Sequence, residues 1–164
     1  FDGSTLAITE YTSHRLMYVT PKLKEAIHIS GTAQLTVKMS CNKSAANLSV
    51  WLVSLPWNGA RNAKITDNII TRGWADLQNY KSLRESEPLV PGKYYEMTFD
   101  LQPDDQIIPA GQQIGLMIFS SDKDFTLWPE PGTELTLDLE GTNLSLPVVG
   151  GSKGLMKAFG GGHE

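Results

Sequence analysis

Alternation of polar and apolar residues with period two dominates this chain. Leu35, Val37, Met39 and Cys41 alternate with Gln34, Thr36, Lys38 and Ser40, the pattern of a strand with one wet face. Tyr95, Met97, Phe99 and Leu101 repeat it against Glu96, Thr98, Asp100 and Gln102. Leu135, Leu137 and Leu139 alternate with Thr136 and Asp138, and Leu144, Leu146 and Val148 follow "EGTN" at 140–143, so 134–148 predicts a hairpin. Further strands are predicted near 4–10, 14–20, 25–30, 47–55, 66–73, 113–119 and 125–128. Helical periodicity is confined to one short candidate, "DLQNYKSLRE" at 76–85.

Two segments lack a wet face. "LSVWLVSL" (48–55) and "IGLMIFS" (114–120) are apolar on both sides, as in central strands whose second face is covered by something else. Many short strands separated by closely spaced turns predict an all-β fold, an antiparallel β-sandwich of the jelly-roll, galactose-binding-like kind. Within 114–120, Ile114, Leu116 and Ile118 share one face, and Met117 and Phe119 share the other. A sandwich has a single core side, so Met117 and Phe119 are expected at a surface left open for another domain. Trp74 is a third candidate for that contact.

At 164 residues the chain is expected to form one domain, a sandwich over 1–150 followed by a glycine-rich tail at 151–164. The end, "VGGSKGLMKAFGGGHE", has no strand pattern and is expected to be mobile or to lean on a partner. A net charge of −4 argues against a nucleic-acid partner, which would select a basic face. No stretch approaches the roughly 18 apolar residues of a membrane helix, so no membrane partner is expected. Cys41 is the only cysteine; it permits no internal disulfide and mildly favours the cytoplasm. The sequence starts at Phe1 rather than Met, as a piece of something longer would.

The acidic stretch "FDLQPDDQIIPAGQQIGLMIFSSD" (99–122) raises the question of chemistry. Pro103 and the two aspartates of "QPDDQ" have turn chemistry, because proline presets φ and aspartate accepts from nearby backbone N–H groups. Asp104, Asp105, Asp122, Asp124 and Glu130 carry oxygen ligands suited to calcium, yet no EF-hand-like loop arranges them, and the turn reading stands. No G-x-S-x-G elbow, phosphate loop or HExxH occurs. His14, His28 and His163 are scattered and are read as structural or surface residues. Asn42, Asn47 and Asn143 begin N-x-S triplets, which mean little without secretion. Trp51, Trp57, Trp74 and Trp128 are first read as core or interdomain residues; as exposed rings they would make a carbohydrate-binding module, the alternative function. No catalytic residue, cofactor or metal is assigned.

Three stretches, "IITRGWADLQNYKSL" (69–83), the segment 94–139 and "LSLPVVGG" (144–151), together resemble the C-terminal domain of bacterial X-prolyl dipeptidyl aminopeptidases. "RLMYVTPKLKEAIHISGTAQLTVKMS" (15–40) is similar to the start of that domain. Cocaine esterases and α-amino-acid ester hydrolases share a looser version. The resemblance implies a cytoplasmic serine hydrolase that releases X-Pro dipeptides from peptide N-termini, in a parent that could be homodimeric. It implies a jelly-roll domain packed on an α/β-hydrolase domain of the same parent chain, which carries the Ser-Asp-His triad; none of that triad maps onto this sequence. The segment after Gly151 departs from the family pattern.

Overall fold

Nine strands form among the described residues, largely where the alternation predicts them. In this computed structural model residues 2–161 are described; Phe1 and His163 lie outside them. The strands are β1 (Arg15–Val19), β2 (Ile27–Gly31), β3 (Gln34–Cys41), β4 (Asn47–Leu55), β5 (Ile69–Asp76), β6 (Tyr94–Asp100), β7 (Asp104–Ile108), β8 (Gln113–Phe119) and β9 (Leu135–Ser145). They make a four-stranded sheet in the order β1-β8-β4-β5, a three-stranded sheet β6-β3-β9 and a two-stranded ribbon β2-β7. Every pairing is antiparallel, giving an all-β sandwich.

The main core lies where the inner faces meet. Leu35, Val37 and Met39 of β3 and Tyr95, Met97 and Phe99 of β6 face Leu48, Val50 and Leu52 of β4 and Ile114 and Ile118 of β8. Each such side chain contributes roughly 1.5–3 kcal/mol by leaving water. The opposite face of the three-stranded sheet stays wet. Thr36 bonds Thr98 at 2.8 Å, Gln34 bonds Asp100 at 3.0 Å and Lys38 pairs with Asp138 at 2.7 Å.

Six local expectations are corrected. The strand expected at 4–10 is a helix, α1 (Gly3–Ile8), because the Asp2 side chain caps it by accepting from Thr5 N at 2.7 Å. The hairpin expected at 134–148 is the single strand β9, both of whose arms pair with β3. "EGTN" is spent in the bulge opposite Thr36–Lys38, where Thr142 Oγ1 accepts from Lys38 N and donates to Asp138 O. The bulge also moves the inward-facing residues from Leu135 and Leu137 to Leu144 and Leu146, a change of parity. "QPDDQ" is not a turn throughout: Asp104 and Asp105 begin β7, opposite Gly31 and Ser30, with Pro103 just before the strand, where its missing N–H is harmless. Residues 125–128 form no strand, and 76–85 holds only a 3-10 turn, Leu77–Asn79.

The sixth correction is the tail. Residues 151–158 form α2 (Gly151–Ala158), entered through Gly150 and Gly151 at φ 87° and 61°, left-handed values that glycine adopts without strain. Ala158 is buried, Leu155 and Phe159 pack on the main core, and Ala158 O accepts from Lys24 N at 2.8 Å. This segment leans on its own sandwich. No helix among the described residues is long and apolar enough to cross a membrane.

Candidate functional site

Alternation along β4 and β8 sends Trp51, Val53, Met117 and Phe119 to the outer face of the four-stranded sheet, away from the main core. They form a second apolar cluster, with Trp51 and Phe119 meeting edge to face at 5.6 Å. The cover is α1. Leu6 and Ala7 pack on the cluster, and Arg15 of β1 donates to the carbonyls of Leu6 and Thr9, tying the helix end to the sheet edge. Met117 and Phe119 are consequently 0% and 3% exposed. The expectation that this row stands open for another domain is corrected: the N-terminal residues of the same chain fill that place.

Next to α1, the loop from 120 to 134 folds over the rest of the face. Asp122 is buried beneath it and accepts from Trp51 Nε1 at 3.3 Å. Burial pushes its carboxyl above the ordinary carboxylate range, against the opposing influence of the Trp51 and Trp74 indoles and the Arg72 charge. Arg72 lies 5.0 Å from both the Trp51 and Phe125 rings, and Trp74, half-buried, stacks on Phe125 at 5.2 Å. Thus Trp74 belongs to the clamp that holds this loop down. Backbone N–H groups of Phe125 and Thr126 both reach Asp122 O, at 2.9 and 2.8 Å.

Beyond the clamp the loop carries Leu127 and Trp128 outward. Trp128 stands at the rim of a cleft of about 730 Å³ between the two main sheets, with His14, Phe119, Glu130, Glu134 and Leu135 among its lining. Of the four tryptophans, Trp51 is buried, Trp57 and Trp74 are half-buried, and Trp128 is exposed. Sequence reasoning missed Asp122 as an anchor. It missed the exposure of Leu127 and gave that of Trp128 only as the alternative, although "TLWPEPG" sets two large apolar residues among turn formers, which is a signal of that kind.

The other candidate residues do not assemble into chemistry. His28 of β2 pairs with Asp105 of β7 across the exposed ribbon. The bond from His28 holds Asp105 below the ordinary carboxylate range, with a smaller lowering influence from Ser30, which lies opposite Asp105 in the strand register. The carboxylate therefore sits between serine and histidine, whereas a nucleophilic triad needs the imidazole in the middle. The carboxylates weighed for calcium are divided: Asp104 and Asp105 lie on β7, while Asp122 is committed to the loop clamp. Among the described residues no group of three or more His, Cys, Asp or Glu side chains is placed to hold a metal ion.

Comparison with known proteins gives this arrangement a context. Residues 2–159 match the family described as the X-Pro dipeptidyl-peptidase C-terminal non-catalytic domain. A Rhodopirellula baltica protein, provisionally named an Xaa-Pro dipeptidyl-peptidase, is 67% identical over 152 residues, which are 93% of this chain and 24% of that protein. A Bacillus cereus protein with the same provisional name is 40% identical over 137 residues, 84% of this chain and 22% of its own length. The chain thus spans about a quarter of these relatives. The fold matches an α-amino acid ester hydrolase at a TM-score of 0.69 and 20% identity, over 83% of this chain and 26% of the hydrolase. A CocE/NonD family hydrolase from Staphylococcus aureus matches at 0.63 and 12% identity, over 82% and 30% of the two chains.

Proposed function

The chain belongs to the family of X-Pro dipeptidyl-peptidase C-terminal non-catalytic domains, and on that premise we propose that it is the supporting β-sandwich of a longer serine dipeptidyl-peptidase. The parent releases X-Pro dipeptides from peptide N-termini, and this domain docks on the α/β-hydrolase domain of the same chain. The observation that carries the reading is the 24% share: a relative 67% identical to this chain holds about three-quarters of its length outside the matched segment. The domain's own residues support a non-catalytic part, since Ser30, Asp105 and His28 stand in the wrong order for nucleophile activation.

The test uses an X-Pro chromogenic substrate with the full-length parent and with this chain alone. The parent is expected to turn it over and to be stopped by a serine-directed inhibitor. Residues 1–164 alone are expected to give no inhibitor-sensitive turnover, and activity that survives rigorous purification would refute the assignment.

Trp128 favours a second reading, carbohydrate binding, because its exposed ring borders a cleft that also presents Glu130 and Glu134. Quenching of tryptophan fluorescence on titration with oligosaccharides, lost in Trp128→Ala, would support it over docking.

A further inference from the structure

The four most exposed large apolar side chains among the described residues are Tyr11 (89%), Leu83 (86%), Leu127 (83%) and Trp128 (67%). They come from three separate loops, yet strand register brings those loops to one end of the sandwich. Arg15, Phe119, Asn47 and Asp76 lie at that end of the four-stranded sheet, through the pairs Arg15–Phe119, Ser49–Phe119 and Asn47–Asp76. Tyr94, Cys41 and Leu135 mark the same end of the three-stranded sheet, and residues 42–46 join β3 to β4 there. We infer that this loop end, formed by residues 9–14, 77–93 and 120–134, is the surface on which the larger, catalytic part of the parent chain docks; the inference rests on the function proposed above.

Three observations carry it. The backbone beneath the apolar residues is held in place, so the surface is presented rather than loose. Asn47 donates to Leu127 O at 2.8 Å, Asn42 bonds Gly132 O and Glu134 N at 2.9 and 2.8 Å, and Leu89 N reaches Ser44 O at 2.8 Å. The broad faces are more fully covered or more polar: α1 and the 120–134 loop cover the outer face of the four-stranded sheet, leaving Ile8 exposed, and paired polar side chains run across the other, beside the exposed Leu139. Finally, the family is described as C-terminal, and the relatives carry about three-quarters of their length outside the match.

The size is suitable. Interdomain contacts within a chain cover about 600–1,500 Å², and aromatic side chains bury roughly 150–250 Å² each. Tyr11, Phe125 and Trp128, with Leu127 beside Trp128 and Leu83 on the neighbouring 77–93 loop, therefore supply apolar area of the order such a contact needs.

Hydroxyl-radical footprinting of the full-length parent tests this, with each residue's rate compared with its rate in the unfolded chain. Tyr11 and Trp128 are expected to react at least about fivefold more slowly than their exposure in this domain sets, as residues at an interface centre do. Leu139 and Met156, exposed elsewhere on the sandwich, are expected to react freely. Protection that maps instead to Leu139 and the wet sheet face overturns the loop-end assignment while leaving the docked-domain reading intact. No protection anywhere in 2–161 overturns both. Protection of Trp128 that disappears when sedimentation shows dissociation into single copies, or that requires added oligosaccharide, assigns the surface to a second copy or to a sugar and overturns the inference.

Discussion

Two apolar surfaces lie outside the main core, and they meet opposite fates. On the outer face of the four-stranded sheet, Trp51, Met117 and Phe119 are covered by α1, a helix of six residues. At the loop end, Leu127 and Trp128 are carried out into solvent by a loop whose root is clamped around Asp122. A row of apolar residues on a strand demands a cover but does not specify one. On the face, the chain returns over its own sheet. At the end, hydrogen bonds from Asn42 and Asn47 hold the loop backbone beneath these side chains, and Leu127 and Trp128 stay exposed.

Substitutions on the two surfaces sharpen this contrast. Phe119→Ser has the largest expected effect, about 3–5 kcal/mol of lost stability in denaturant unfolding of this chain, as for other truncations of a core phenylalanine. A loss below about 1 kcal/mol would mean that α1 does not close the face. Gly3→Ala comes next, because an added Cβ would stand 2.3 Å from Trp51 Cζ2, on a buried and rigid ring. Overpacking of this kind typically costs about 1–3 kcal/mol, and displaced α1 is expected to red-shift tryptophan emission. An unchanged spectrum and midpoint would contradict the close helix–sheet contact.

The loop clamp is tested through pH. Asp122 has its carboxyl raised by burial, so the folded state holds this proton more tightly than the unfolded state does. Below the ordinary carboxylate value the group is neutral in both states and no penalty exists. As pH rises through the window between the ordinary value and the raised one, the native protein is expected to lose stability relative to Asp122→Asn, and the gap is then constant at higher pH. Asp105 and Asp138, whose carboxyls are lowered by His28 and Lys38, act in the opposite direction but are common to both proteins and drop out of the difference. Unfolding midpoints of the two proteins measured over a pH series provide the check; a gap that does not vary with pH would show the carboxylate to be unburied. The smallest effect belongs to Leu127→Ser, expected to change the stability of this chain by no more than about 0.5 kcal/mol, as surface changes do. A loss as large as that of Phe119→Ser would erase the distinction between the two surfaces.

Much of the sandwich was legible in the sequence because its inner faces obey strict alternation. Leu35, Val37 and Met39, and Tyr95, Met97 and Phe99, are all buried where the period-two pattern sets them. Where reading by pattern failed, local chemistry had two valid uses. "EGTN" can close a hairpin or fill a bulge, and pairing of both arms of β9 with β3 selected the bulge. The β-branched residues of 4–10 suit a strand, but Asp2 accepts the helix-starting bond from Thr5 N. In the region of Leu127 and Trp128, burial depends on what lies above the loop, which no periodicity encodes.

The sequence alone determined the class of the fold and the location of the two-faced strands, because side-chain alternation is a property of each strand taken by itself. It also determined the absence of a nucleophile elbow, since that signal is contiguous. The tertiary structure decided what covers Met117 and Phe119, how Asp122 comes to lie under Trp51, and which end gathers Tyr11, Leu83, Leu127 and Trp128. Those are contacts between segments up to a hundred residues or more apart along the chain, as between Leu6 and Met117. Their geometry is set by strand order and register, which many sequences with the same alternation would leave open.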